Sequence, residues 1–141
     1  MQYISIHFKI EELVNPTLLS KISEETAWLL FDPVLLQLAD RIRDIYGIIT
    51  VNDKYIKDAG LRDINSTTGA PWSAHKFGRA LDLHILDIEK DNASVSKKIN
   101  AYNNLREDLI RNPFFQRLNF ENNISWLHID TFNRTNRLFN P

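Results

Sequence analysis

Two short stretches of the chain hold residue types that can bind a metal ion. The first, residues 72–84, contains His75 and, seven residues later, Asp82. The second, residues 125–130, contains His128. Two imidazoles and one carboxylate make a catalytic type of zinc site, because three protein ligands leave the fourth position of the ion free for water. These stretches therefore predict a zinc-dependent reaction.

The chain contains no cysteine, which narrows the kind of metal site it can build. Disulfides and thiolate ligands are excluded, so nitrogen and oxygen atoms must hold any metal. Two neutral imidazoles and one carboxylate leave zinc a strong Lewis acid, able to lower the pKa of bound water to about 7 and to polarise a carbonyl. His84 is an alternative ligand on the Asp82 face of a predicted strand, although a polar position beside the cleft is the more common role.

The residues around these ligands form two motifs with a recognisable pattern. They read Ser73-x-His75-x-x-Gly78-x-Ala80-x-Asp82 and Trp126-x-His128-x-Asp130. The pattern resembles the zinc superfamily of D-alanyl-D-alanine carboxypeptidases and L-alanyl-D-glutamate endopeptidases, which share a zinc-site fold with the Hedgehog signalling domain. Residues 8–13 also resemble the start of short phage-type members, so the resemblance covers nearly the whole chain.

The resemblance implies a cofactor and a reaction. Zinc is the expected cofactor, with His75, Asp82 and His128 as its ligands. The expected reaction is hydrolysis of a peptide bond in peptidoglycan stem peptides or cross-links, by a carboxypeptidase or an endopeptidase. The alternative is a non-catalytic zinc-containing domain of the same fold that binds a cell-wall fragment or a protein partner.

Three further residues are expected to contact the substrate. Arg62 follows Gly60 and Leu61 in a segment similar to the superfamily's Gly-Tyr-Arg, whose arginine contacts the substrate, and a guanidinium can bind a carboxylate with two hydrogen bonds. The resemblance implies that Ser73 lies at the rim of the substrate cleft. Trp126 is expected either to line the cleft or to pack in the core.

The catalytic base is where this chain departs from the superfamily. Several branches carry a glutamate three residues before the last histidine, and here that position is Ser125. Peptide hydrolysis needs a group that takes a proton from water and gives it to the leaving amine, and a carboxylate suits this role. Asp130 is the first candidate, because it shares a strand face with His128, and Glu121 is the second.

Composition and charge limit the partners. The chain has 141 residues, 43% of them hydrophobic and 25% charged, which is typical of one globular domain. A formal net charge of −1 predicts no general attraction to nucleic acid or membranes. No apolar run approaches the roughly 20 residues of a membrane span, and the N-terminus lacks the features of a signal peptide. We therefore expect a cytoplasmic or phage-associated protein that acts on the cell wall, and the oligomeric state stays open.

The elements that position these residues predict one α+β domain spanning residues 1–141. Its N-terminal helices would pack on a small antiparallel sheet with one inserted helix, in an arrangement that is Hedgehog- and DD-peptidase-like by resemblance. Residues 1–10 alternate apolar and polar side chains and predict an extended segment. The other predicted elements are a helix over 33–46, strands at 48–51 and 79–86, a helix from Asn92 to Asn112, and two strands within 114–132.

The period of two in the strands predicts which side chains share a face. Asp82 and His128 would occupy the open face of two adjacent strands, while alternate apolar residues face the helices. Gly78 would let the chain turn so that His75 folds back toward Asp82. Arg134 and Arg137 are expected in a solvated tail, with acidic cell-wall polymers as an alternative contact.

Overall fold

Helices dominate the first third of the chain, and strands with further helices follow in the computed structural model, which describes residues 2–91 and 94–140. The N-terminal helices are α1 (Ile10–Leu13), α2 (Pro16–Leu19), α3 (Glu24–Leu29) and α4 (Pro33–Tyr46). The later elements are β1 (Ile49–Thr50), β2 (Ala80–Ile85), α5 (Leu86–Asp91), α6 (Val95–Arg111), β3 (Asn119–Glu121), β4 (Leu127–Asp130) and β5 (Leu138–Phe139). Two 3₁₀ turns, Ala74–Phe77 and Pro113–Phe115, precede β2 and β3. The α+β class is confirmed.

The two long helices begin and end at local signals in the sequence. Helix α4 begins where the Asp32 carboxylate accepts a hydrogen bond from Val34 N, and it ends at Gly47, whose φ is 86°. These are common capping devices, and the predicted helix 33–46 is confirmed. Helix α6 begins after Ser94, whose side chain caps Lys97 N. The predicted first residue of this helix, Asn92, lies outside the described residues.

The sheet is mixed, which corrects the prediction of an antiparallel sheet. Its strand order is β1-β2-β4-β3-β5, and only β5 pairs in parallel, with β3. After β4 the chain turns back and reaches the far side of β3, so β5 runs antiparallel to β4 and parallel to β3. Arg137 holds this return in place, since its guanidinium donates to the carbonyl oxygens of Phe115 and Leu118.

Two helices, rather than the predicted one, are inserted between β2 and β3. Strand β2 ends at Ile85, and α5 starts at once with Leu86, whose N–H donates to Ile48 O. The apolar alternation that predicted a strand to Leu86 does not distinguish a strand end from a helix start. The Glu89 carboxylate of α5 contacts His84, Lys98 and Tyr102, and these contacts tie the helix to its neighbours.

The N-terminal segment, for which alternation predicted an extended element, joins no strand of the sheet that the structure describes. Residues 2–9 pair with no strand among the described residues. The backbone N–H groups of Ile6 and His7 instead donate to the Asp40 carboxylate on α4. The alternating side chains divide between the core, where Phe8 is buried, and solvent, where Ile6 is exposed.

One apolar cluster joins the helices to the back of the sheet. Helices α4 and α6 contribute buried residues such as Leu35 and Leu109 to the same cluster as Leu81 and Leu83 of β2 and Ile129 of β4. The strands thus carry apolar residues toward the helices and present their other face to the loops. Within the described ranges, no helix has the length and apolar character needed to cross a membrane.

Candidate metal centre

Strand pairing brings the two distant motifs together. In the antiparallel β2–β4 pair, Asp82 stands directly opposite His128. Side chains of directly opposed residues lie on the same face of the sheet. The alternate residues Leu81 and Ile129 are also paired, and they belong to the apolar core. The predicted face assignment of Asp82 and His128 is confirmed.

The third residue of the cluster comes from the 3₁₀ turn before β2. Ser73 caps this turn by accepting a hydrogen bond from His75 N, and Gly78 ends it with a left-handed φ of 66°. A Cβ atom at Gly78 would lie 1.9 Å from Leu30 O, so the close approach of the two chain segments excludes a side chain there. This turn directs His75 back toward Asp82, as the spacing predicted.

The three side chains converge on one point. Asp82 Oδ1 lies 2.8 Å from His128 Nδ1 and 3.3 Å from His75 Nε2. One ligand atom from each residue lies within 4.8 Å of the others, so the buried group could hold a metal ion. The oxygen and nitrogen donors match those of zinc sites with three protein ligands. The residues present therefore fit the ion that the motifs imply.

In both histidines of the cluster, the ring nitrogen that faces away from Asp82 lies next to an oxygen acceptor. His75 Nδ1 lies 2.9 Å from Gly60 O, which accepts its hydrogen and leaves Nε2 directed at Asp82. His128 Nε2 lies 2.9 Å from Asp130 Oδ2, which leaves Nδ1 directed at Asp82. Zinc-binding histidines usually donate the second N–H to a carboxylate or a backbone carbonyl in this way, which fixes the ring and its tautomer.

Burial, hydrogen bonds and ion pairs shift the pKa values of His128, Asp130 and Asp82. Burial opposes protonation of His128, but hydrogen bonds to Asp130 and Asp82 raise its pKa to about 9. Burial opposes ionisation of Asp130, but His128, Arg134 and Asn119 lower the pKa of its carboxyl to about 2. The pKa of Asp82 is also lowered, since the two histidines outweigh its burial. Both carboxylates are therefore ionised at neutral pH.

A cavity of about 550 Å³ opens onto this cluster. The walls include all three cluster residues and five of the other residues named in the sequence analysis: Arg62, Ser73, Glu121, Trp126 and Arg134. A second cavity of about 510 Å³ shares four wall residues with the first: Arg62, Thr68, Asp82 and Trp126. Ser73 and Trp126 thus line the cleft, while their contact with a substrate remains a prediction.

Arg62 is held tightly beside the cluster. Its Nη2 lies 3.6 Å from Asp82 Oδ2, and its Nε and Nη1 donate to the carbonyl oxygens of Asp58 and Thr68. The residue is only 8% exposed. Its backbone N–H also donates to His75 O, which links it to the motif turn. Arg62 therefore combines a structural role with a place on the cavity wall.

The structure separates the two candidates for the base. Asp130 is fully buried and is not part of the cavity wall. Both of its oxygens are occupied, by His128, Arg134, Asn119 and Phe132 N. Glu121 lines the cavity, with Oε2 4.0 Å from His128 Nδ1, and its carboxylate accepts no hydrogen bond from any residue that the structure describes. This geometry favours Glu121 for proton transfer and Asp130 for orienting His128.

Three basic or histidine side chains have partners that the sequence pattern did not indicate. His84 pairs with Glu89 and is not part of the metal-binding group. This agrees with the prediction of a polar residue beside the cleft rather than a metal ligand. The expectation of a solvated tail is wrong for Arg134 and Arg137. Arg134 binds Asp130 and lines the cavity, and Arg137 donates to three backbone carbonyls. The only local signal for Arg134 is its place four residues after Asp130.

Comparison of the chain with protein-family models, with curated proteins and with solved structures finds no match.

Proposed function

We propose that this chain is a zinc-dependent peptidase that hydrolyses a peptide bond in peptidoglycan stem peptides or cross-links. The observation that carries the proposal is the convergence of His75, Asp82 and His128 at the wall of an open cavity. A structural zinc site usually has four protein ligands, whereas this group supplies three. The motif resemblance to zinc peptidases of the cell wall supplies the substrate class.

The proposed zinc ligands are His75 Nε2, Asp82 Oδ1 and His128 Nδ1. Zinc bound there supplies a Lewis acid that acidifies water and polarises a peptide carbonyl. The carbonyl of Gly60 and the carboxylate of Asp130 hold the two imidazole rings in the orientation that binding requires, and His128 would release its Nδ1 proton when zinc binds. Both rings would therefore bind zinc without reorientation.

Glu121 is the proposed proton carrier. Its carboxylate shares the cavity with the three ligands and accepts no hydrogen bond from any described residue, so it is free to accept a proton from water and to donate it to the leaving amine. It comes from β3, a neighbouring strand, rather than from the position three residues before His128 that Ser125 occupies. A base on β3 would replace the glutamate that this chain lacks.

Arg62 is the proposed anchor for a carboxylate of the substrate. It lies on the walls of both cavities and is fixed by Asp58 and Thr68. A rigid guanidinium loses little side-chain entropy when it binds an anion. Arg62→Ala should lower kcat/KM while leaving the zinc content unchanged.

The test combines metal analysis with a digest. Elemental analysis of the dialysed protein should find one zinc per chain, and mass spectrometry should find new peptide termini after incubation with muropeptides. His75→Ala should lose both, whereas His84→Ala, a histidine outside the metal-binding group, should keep the metal. Absence of bound zinc after reconstitution would overturn the proposal.

The alternative is a non-catalytic zinc-containing domain that binds a cell-wall fragment or a protein partner. Its supporting observation is Ser125, which replaces the glutamate found in several branches of the superfamily. A zinc-loaded protein that binds muropeptides without cleaving any of them would favour this alternative.

A further inference from the structure

We infer that Arg134 is a second carboxylate receptor in the cleft, which selects peptides bearing a free carboxylate over their carboxamide forms. The inference rests on the proposed function, because it concerns the substrate of the same cavity. It adds a specificity-determining residue outside both sequence motifs.

The first observation is a chain of contacts between basic and acidic side chains that runs through the metal-binding cluster. Arg62 Nη2 lies 3.6 Å from Asp82, and Asp82 lies 2.8 Å from His128 Nδ1. His128 Nε2 lies 2.9 Å from Asp130, and Asp130 lies 2.8 Å from Arg134 Nη2. One arginine thus ends the chain on each side of His128. Both arginines lie on the wall of the 550 Å³ cavity.

The second observation is that Arg134 is held rigidly. Its Nε donates to both oxygens of Asp130, and its Nη2 contacts Oδ2 of the same carboxylate. Its guanidinium carbon lies 3.7 Å from the centre of the Phe139 ring, a close cation–π contact. The side chain is therefore fixed before a ligand binds, which reduces the entropy lost on binding.

The third observation is unused donor capacity. Arginine carries five N–H donors, and Asp130 occupies only Nε and Nη2. Nη1 has no partner among residues 2–91 and 94–140, and the side chain is 29% exposed. A guanidinium can bind its structural carboxylate along one edge and a ligand oxygen at another. A ligand carboxylate in the cavity would thus find a charged donor that needs no rearrangement.

The chemistry of the cavity selects the ligand class. A carboxamide has the shape of a carboxylate, but it carries no charge and presents N–H donors to a site that is itself a donor. Hydrogen bonds to charged groups are worth more than neutral ones, so the carboxylate form should bind about 10- to 100-fold more tightly. The favoured ligand is an acidic peptide whose carboxylate reaches Nη1 of Arg134.

The experiment uses two peptides that differ in one group. The probes are acetyl-L-alanyl-γ-D-glutamyl-L-lysine amide, with one free carboxylate, and the same peptide with that carboxylate amidated. Calorimetry with metal-free protein measures both affinities without cleavage. Wild-type protein should prefer the carboxylate about 10- to 100-fold, and Arg134→Gln should reduce the preference to about onefold. Because no zinc or turnover is involved, failure here is distinguishable from failure of the peptidase proposal.

Two further variants separate recognition from folding and from net charge. Arg134→Lys keeps a positive charge for Asp130 but lacks the second donor arm, so it should also lose the preference. Arg111→Gln removes the same charge from an exposed position on α6 and should keep it. Equal binding of the two probes, no binding of either probe, or a preference that persists in both Arg134 variants would overturn the inference. Loss of the preference in Arg62→Gln alone would assign it to Arg62 instead.

Discussion

Two carboxylates in this protein are both buried and each accepts hydrogen bonds from four residues, but their donors differ in what else they contact. Asp40 on α4 is 2% exposed, and Asp130 at the end of β4 is fully buried. Asp40 accepts hydrogen bonds from Tyr3, Ser5, Ile6 and His7. Asp130 accepts them from Asn119, His128, Phe132 and Arg134. Each carboxylate thus has both oxygens occupied.

The difference lies in the donors. The donors to Asp40 are hydroxyl and backbone N–H groups of residues 3–7, and these hydrogen bonds hold that segment on α4. Burial and the hydrogen bond to Asp40 raise the pKa of Tyr3 to about 12, so its hydroxyl stays a donor. One donor to Asp130 is an imidazole whose other nitrogen faces Asp82 and the cavity. Burial and hydrogen bonding therefore do not distinguish the two carboxylates, and the described residues link Asp130 to the candidate metal centre only through His128.

The largest effect should follow from removing the imidazole that links Asp130 to the cavity. His128→Ala leaves only His75 and Asp82 as ligands, so we expect zinc content to fall from one per chain to none and hydrolysis to stop. His7→Ala, which removes the imidazole near Asp44 instead, should retain both. Stoichiometric zinc in dialysed His128→Ala would show that the ligand set is a different one.

Glu121→Gln should have the next largest effect. Removing the proton carrier should lower turnover about 10²- to 10⁴-fold while zinc content stays at one per chain, because Glu121 is not among the three proposed ligands. Single-turnover rates with zinc-loaded protein measure this. Glu107→Gln, at an exposed position on α6, is the matched control and should leave the rate unchanged. Full activity in Glu121→Gln, with a loss of this size in Asp130→Asn, would return the role to Asp130.

Asp130→Asn should weaken zinc binding rather than stop the reaction. The variant removes the charge that holds the His128 ring, and loss of such a partner typically costs about 10- to 100-fold in metal affinity. Competition with a zinc chelator measures the affinity, and the rate at saturating zinc should stay close to that of the wild type. A falling rate with unchanged affinity would mean that Asp130 carries the proton.

Zinc affinity should also depend on pH in a predictable direction. Burial lowers the pKa of His128, but Asp130 and Asp82 raise it to about 9, so metal-free protein is protonated there at neutral pH. Zinc must displace this proton, and the apparent affinity should rise about tenfold per pH unit as the pH increases toward 9. Calorimetry in buffers of different ionisation enthalpy should count about one proton from His128 per zinc at pH 7, plus the fraction of a proton that zinc-bound water with a pKa of about 7 would release. No proton release would contradict this protonation state.

The sequence could predict the parts of the site that local patterns encode. The period of two in β2 and β4 places Asp82 and His128 on one face, and the structure pairs them directly. Capping residues and apolar spacing gave the bounds of α4. The glycine at position 78 indicated the turn that brings His75 back to the strand. In each case the signal lies within a few residues of the feature it specifies.

The parts that could not be predicted depend on contacts between distant segments. Strand β5 has two residues, and its pairing with β3 comes from the path of the chain after β4 rather than from a pattern within it. The place of Arg134 on the cavity wall depends on that path, because it stacks on Phe139 of β5. The preference for Glu121 over Asp130 as the base depends on which carboxylate lines the cavity. The alternation of side chains along a strand does not indicate this.

Asp40→Asn should have the smallest effect on the site and a clear effect on folding. The amide nitrogen would replace one oxygen that accepts from neutral and backbone donors, so at least one buried donor would lose its acceptor. Loss of such hydrogen bonds should lower the free energy of unfolding by about 2 to 3 kcal/mol, measured by urea denaturation. Tyr3→Phe, which removes a single hydroxyl donor, should cost about 1 kcal/mol.

Zinc affinity should be unchanged in both variants, since the partners of Asp40 lie in residues 3–7 and none contacts His75, Asp82 or His128. A loss of zinc affinity in Asp40→Asn comparable to that in Asp130→Asn would mean that the N-terminal segment supports the metal site, and that the two carboxylates do not divide between folding and function.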